Sequence, residues 1–537
     1  MRRLFLAEAR VFALLFLTLS FLAAPLVSGA PARAIRPSQA VLAPCGVVDA
    51  FAFPFPEIDV SRSDFGIYRP RWGGLHTGLD VAFWRHGEPV MAAARGRVTY
   101  SDIEGWDTEK GVVVLQHTFP DGTLINTLYG HMEELNGYRF PPMDSCVELG
   151  DVVGAVGDPS LSAPHLHFEV RTRYRHEGGP GYTATNPLEL GWLHPIDFTY
   201  LARLWVHPAY RGHVSLTERP SVPPVLLPSG QYVVAHSRYL EGISVSGASL
   251  WRFDTVGSVI DLFALPDGRA LALTSENQAL IVNNGAVSGL WSLAGRVASG
   301  ALLSDDRLVV VLDRDTVAAY ALDGAPLWSV GPLPGRLVQW AQSGDRFAFT
   351  GADGELRIID REGRVLLDTR LAPAPLVFGG LGGSFVVLQG ETLLALDSAL
   401  ALAPVVSLPR AVTAGAHAVT AADGAVYLYP GEGRSLYAVD PSGDLRWIGF
   451  LPGEELRAPR LGVGGGALVH VLTAGGHLLS FDARDGRLLA EFSLYPGGRD
   501  GGGASARWLH VQPDETVRFG AGFLTIAELD GRALLGG

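Results

Sequence analysis

An all-β chain of two domains is what these 537 residues predict, and three observations predict it. Between residues 71 and 200, short runs of β-branched and aromatic residues alternate with Gly/Asp turns. From about residue 225 to the end, a turn unit returns roughly every 40 residues. The composition, with 66 Gly, 35 Pro and 18% charged residues, suits turn-rich sheet better than long solvated helices. At 47% hydrophobic, the chain is too apolar for disorder to dominate.

The N-terminus reads as an export signal over 1–34. Arg2, Arg3 and Arg10 precede a run from Val11 to Val27 whose only polar residues are Thr18 and Ser20. Small-residue sites follow at Ser28/Ala30 and Ala32/Ala34. At 17 residues the run is at the lower limit for a retained anchor, so cleavage is the expectation. Either way the rest of the chain is expected to be extracytoplasmic: periplasmic, cell-surface or secreted. Residues 35–70, with Pro37, Pro44, Pro54, Pro56 and Pro70, read as an extended lead-in. Cys45 and Cys146 are the only cysteines, and an oxidising compartment makes them a disulfide that pins this lead-in to the first domain. The formal net charge is −13, so nucleic acid is excluded as the main partner, because phosphate binding needs clustered Lys and Arg.

Within 71–200 the expected strands are GRVTYS (96–101), GVVVLQH (111–117), TLINTLYGH (123–131) and HLHFEVR (165–171). No helical period shows there. Prolines accumulate after it, in SLTERPSVPPVLLPSGQ (215–231), and a linker is expected over 201–224. The repeats begin at about 225. Turn glycines Gly247, Gly285, Gly324 and Gly363 are spaced 38, 39 and 39 residues apart. The fifth unit lacks its glycine, and Gly443, Gly486 and Gly531 continue the series. A strand-and-turn period near 40 indicates a β-propeller of four-stranded blades, here seven or eight of them over 225–537. A closed ring leaves few exposed strand edges, which favours it over an open solenoid or a series of sandwiches. The unit from Ala438 through Asp440 and Gly443 to Trp447 resembles the turn consensus of PQQ-type propellers. The repeats show no residue set for a bound quinone, so the resemblance implies a fold for binding, with an envelope protein as partner.

Three segments of the first domain carry the chemistry: His76-Thr-Gly-Leu-Asp80, Tyr129-Gly-His131-Met132 and His165-Leu-His167-Phe-Glu169. Residues two apart on a strand share a face, so His165 and His167 enter one cleft while Leu166 and Phe168 pack behind. Imidazoles with one carboxylate are a usual Zn²⁺ set, and three protein ligands leave a fourth position open. In this order, with HTGLDVAF, LYGHM, LGDVVGAVGD and PHLHFEVR, the segments resemble the lysostaphin-like, or LytM-type, zinc metallopeptidases that cut peptidoglycan peptides. The resemblance implies Zn²⁺ held by His76, Asp80 and His167, with His131 and His165 as catalytic histidines. Which of those two is the base stays open. One departure stands in the turn Gly157–Pro164, where Pro159 and Ala163 replace the flexible glycine-rich pattern, and this turn is expected to border the cleft. Glu169, one strand step past His167, reads as a support for the metal site. His117 reads as structural, His86, His176 and His194 as solvated, and Asp102, Glu104 and Asp107 as a polar loop. The expected function is hydrolysis of cross-link peptides. The rival is a non-enzymatic envelope scaffold.

Overall fold

The computed structural model describes residues 44–536 except 56–57, 59–62, 175, 305, 334, 381, 409–414, 453–458, 474–475 and 494–507. The export signal expected over 1–34 lies outside the described residues. No helix among the described residues is long and apolar enough to cross a membrane.

The runs with period-two alternation become strands. In chain order the first domain contains β1 (Tyr68–Arg69), β2 (Gly74–His76), β3 (Leu79–Val81), β4 (Pro89–Met91), β5 (Gly96–Asp102) and β6 (Gly111–Thr118). Then follow β7 (Leu124–Glu133), β8 (Cys146–Val147), β9 (Val152–Val156), β10 (Leu166–Arg171), β11 (Tyr182–Thr183), α1 (Pro187–Leu190), β12 (Trp192–Leu193) and α2 (Pro195–Trp205). The main sheet runs β12-β10-β7-β6-β5-β8, with β3 paired to β10 and β9 joining β4 to β7. Strand β10 is buried on both faces, and its register sets the site. His167 stands opposite Asp80 of β3 on one side and opposite Gly130 of β7 on the other.

The lead-in is less loose than its prolines suggest. Val48, Phe51 and Phe55 are buried in the first core, and the backbone of Val48 and Ala52 donates to Thr118 and Ala93. The Cys45–Cys146 disulfide closes the segment onto β8 across 101 residues. In the chain-entropy account a loop of that length adds up to about 4–5 kcal/mol. Cys45→Ser with Cys146→Ser is therefore expected to lower the denaturant midpoint of the first domain by a corresponding amount, and added reductant should then have no further effect.

Two sequence expectations are corrected between the domains. Helix α2 lacks an amphipathic signature because nearly all of it is buried, from Pro195 through Ala202 and again at Leu204. His194, expected in solvent, is its buried N-cap: Nδ1 accepts from Asp197 N at 3.3 Å. The segment 201–224 is also not a simple linker. It contains the end of α2 and the strand Tyr210–Ser215, which pairs antiparallel with Thr525–Asp530 at the far end of the chain. Asp197 ties the helix to the same place, accepting from Phe523 N at 2.7 Å and from Leu524 N. One apolar core continues from Phe51, Phe119 and Phe198 through Ala209 to Phe519 and Leu529.

Beyond α2, the described residues form eight four-stranded antiparallel sheets in succession, each built of consecutive strands except the last. The eighth takes its outer strand from Tyr210–Ser215, so the strand that comes first in the chain closes the ring. Of the seven or eight blades expected, eight form. The turn glycines mark the contact between neighbours. A Cβ at Gly285, Gly324, Gly363 or Gly486 would lie 2.4–2.9 Å from the side chain of Trp251, Trp291, Trp328 or Trp447 on the preceding sheet. The missing fifth glycine fits this rule. The fourth sheet presents Leu367 where the first three carry Trp, and Leu400 holds the left-handed turn position at φ 66°. With no indole against it, that turn has room for a side chain.

Candidate active site

Elementary geometry brings three atoms together. His76 Nε2 lies 2.9 Å from His167 Nδ1 and 3.2 Å from Asp80 Oδ1, and His167 Nδ1 lies 3.1 Å from the same oxygen. A tetrahedral ion with bonds near 2.0–2.2 Å spaces its ligands roughly 3.4 Å apart, so this trio could hold one metal after slight spreading. Among the described residues it is the cluster of three or more His, Cys, Asp and Glu able to do so. Glycine makes the approach possible: a Cβ at Gly78, inside His76–Asp80, would meet His167 Nε2 at 2.6 Å.

The outward ring nitrogens are anchored on carboxylates. His76 Nδ1 faces Asp64 Oδ2 at 3.2 Å, and His167 Nε2 faces Glu169 Oε1 at 3.0 Å. Such partners fix the tautomer and aim the free nitrogen at a metal. Burial opposes charge on His76, but Asp64 and Asp80 outweigh it and raise its pKa to about 10. Burial likewise opposes ionisation of Asp80, yet hydrogen bonds from His165, His167 and His76 hold its carboxyl well below the ordinary range. The carboxylates around these imidazoles thus favour positive charge at this point of the cleft.

His131 and His165 stand beside it with ring centroids 4.5 Å apart. Each Nδ1 is 2.8 Å from a backbone carbonyl, of Glu109 and Ala163 respectively, which makes Nδ1 the donor and leaves Nε2 for proton exchange. His165 Nε2 is 3.5 Å from Asp80 Oδ1. Burial, with His165 and His167 adding to it, pushes His131 down to about 3. Its backbone φ of 58° is a strained value of the kind that gathers at functional sites. Trp106 edges against both His131 and His167 at 4.9 and 5.4 Å. It fits there because Gly130 has no side chain, since a Cβ would come within 2.3 Å of the indole.

These groups open into a cleft of about 560 Å³, walled by Trp72 stacked on Tyr182, by Phe83 stacked on His165, and by Leu161 and Ser162. The turn with Pro159 and Ala163 thus borders the cleft as expected. Asp64, Trp106, Glu109 and Tyr182 were missed in the sequence, since none belongs to a motif and Asp64 sits in the lead-in. His117 is buried away from the cleft, between the Arg95 carbonyl and Thr127 Oγ1, and burial pushes it down to about 4. His86 pairs with Glu133 at 3.1 Å rather than standing free.

Residues 74–179 match the model of peptidase family M23. The M23 match spans β2 to the segment before β11 and includes all five histidine and aspartate positions above. Residues 231–395 match a second model, described as outer membrane protein assembly factor BamB. The chain thus joins a segment that matches the M23 peptidase model to a propeller whose repeats match the BamB model. Among solved structures it is similar to BamB from Moraxella catarrhalis, 15% identical, covering 60% of this chain and 97% of that one at a TM-score of 0.42. It is also similar to the computationally designed Ika8 protein, 14% identical, covering 60% and 98% at a TM-score of 0.46. The C-terminal WD40 domain of Sif2 is 10% identical, covering 60% and 95% at a TM-score of 0.43. No curated protein matches the chain.

Proposed function

We propose that the chain is an exported zinc metalloendopeptidase that hydrolyses peptide cross-links of peptidoglycan, with its propeller binding an envelope protein. The observation that carries this reading is the meeting of His76 Nε2, Asp80 Oδ1 and His167 Nδ1 within 3.2 Å beside two further imidazoles in one cleft. Zinc held by those three residues supplies a Lewis acid and a strong nucleophile at neutral pH. His131, neutral at working pH, accepts the proton of the attacking group at Nε2 and passes it to the departing amine. His165, when its ring carries a proton on Nε2 as well as on Nδ1, donates from Nε2 to the oxygen that becomes negative at the tetrahedral stage. Trp106, Phe83 and Tyr182 exclude water and hold the peptide against these groups. Export is supported by the Arg-flanked apolar run at the N-terminus and by the Cys45–Cys146 disulfide, which an oxidising compartment maintains.

The test is release of soluble fragments from purified peptidoglycan by the full chain, with chelator and with zinc restored. Loss with chelator and recovery with zinc support the reading. Zinc-loaded protein that binds the polymer and releases nothing would make it a scaffold. His131→Ala and His165→Ala are each expected to lower kcat by about 10²–10⁴-fold while one zinc per chain remains. Loss of the metal from either variant would move that residue into the ligand set.

A further inference from the structure

We infer that Arg71 selects peptides carrying a free carboxylate near the scissile amide, an inference that rests on the peptidase reading above. Arg71 lines the cleft that contains Asp80, His131, His165 and His167. Its Nη1 donates to the Leu161 carbonyl at 2.7 Å, and its guanidinium lies 5.5 Å from the ring of Trp72, which is itself stacked on Tyr182. Two walls of the cleft therefore hold this cation in place. Its anchor is fixed in turn, because Leu161 N donates to Glu109 Oε1 at 3.1 Å.

Among the described residues the charge of Arg71 has no carboxylate partner. In the same domain Arg69, Arg85, Arg95, Arg97, Arg139 and Arg171 each lie within 4 Å of a carboxylate. Arg71 faces none among the described residues, although the chain has 55 acidic residues against 42 basic ones. Of the acids nearest the chemistry, Asp80 faces three imidazoles, and Glu109 Oε1 accepts from Ser160 and Leu161 while its buried Oε2 has no partner among the described residues. One carbonyl uses one of the five guanidinium N–H groups, and the planar fork that remains matches a carboxylate. A neutral chain offers it only carbonyl acceptors, whereas a stem peptide with a free carboxylate offers a charged partner for the fork. The Leu161 anchor also gives a use to the departure at Gly157–Pro164. Pro159 stiffens the turn whose carbonyl positions the arginine.

The test uses two synthetic cross-linked stem peptides that differ only in a free carboxylate or its carboxamide on the residue next to the scissile amide. With the zinc-loaded full chain, kcat/KM for the carboxylate form should exceed that for the amide by about tenfold or more, as a charge-assisted pair provides. Arg71→Gln should bring the ratio close to one, and Arg71→Lys should keep part of it. Arg97→Gln, a paired arginine outside the cleft lining, should leave it unchanged. Equal rates in the wild type, or a ratio that survives Arg71→Gln, overturns the assignment. Isothermal titration of the same peptides separates this inference from the peptidase reading. Tighter, Arg71-dependent binding of the carboxylate form without cleavage would sustain the inference and remove the peptidase. Equal binding would overturn the inference.

Discussion

Asp80→Ala in the full chain is expected to lose bound zinc and to cut release from peptidoglycan by more than about a thousandfold, since without the metal no group of the cleft generates the nucleophile at neutral pH. Asp80 Oδ1 lies near His76 Nε2 and His167 Nδ1, at 3.2 and 3.1 Å, and near His165 Nε2 at 3.5 Å. Removing it takes away a ligand and leaves positive charge in the cluster uncompensated. His167→Ala should behave alike, because the ring bridges Asp80 and Glu169. Elemental analysis beside a fragment-release assay checks both variants. Zinc retained at one per chain in either of them contradicts the assigned ligand set.

Glu169→Ala should have the largest effect on stability. The carboxylate is wholly buried, and each of its oxygens has two donors. Thr77 Oγ1 and His167 Nε2 reach Oε1 at 2.5 and 3.0 Å, while Arg171 Nη1 and Trp192 Nε1 reach Oε2 at 3.1 and 2.9 Å. Burial favours the neutral acid, but His167, Arg171 and Thr77 outweigh it and hold the Glu169 carboxyl below its ordinary pKa. Truncation leaves the equally buried Arg171 guanidinium with carbonyl partners alone. Breaking a buried pair in this way costs about 3–5 kcal/mol. It also frees the outer nitrogen of His167, which should weaken zinc binding by about 10–100-fold. Denaturant unfolding of the first domain and competitive zinc titration read the two effects separately. A midpoint within error of wild type would show that Arg171 finds its compensation elsewhere.

The site was legible where the chemistry follows strand period. His167 and Glu169 had to share a face of β10, with His165 just before its start, and the register opposite Asp80 and Gly130 then completes the trio. The supports were less legible. Asp64 backs His76 from a proline-rich stretch with no period, and Trp106 enters only because Gly130 leaves a gap that strand pattern does not report. Helix α2 stayed hidden because a helix buried on nearly every side shows no polar stripe. The strand Tyr210–Ser215 was taken into a linker because its partner lies more than 300 residues away, a distance at which pairing leaves no local mark. The blade repeat was visible because turn glycines recur from sheet to sheet, four of them against an indole of the preceding sheet.

Zinc K-edge X-ray absorption on the loaded full chain is the most direct measurement of the central claim. The account predicts two imidazole nitrogens and carboxylate oxygen at about 2.0–2.2 Å, with one imidazole lost in His167→Ala. An unchanged spectrum in that variant, or a shell containing sulfur, would contradict it.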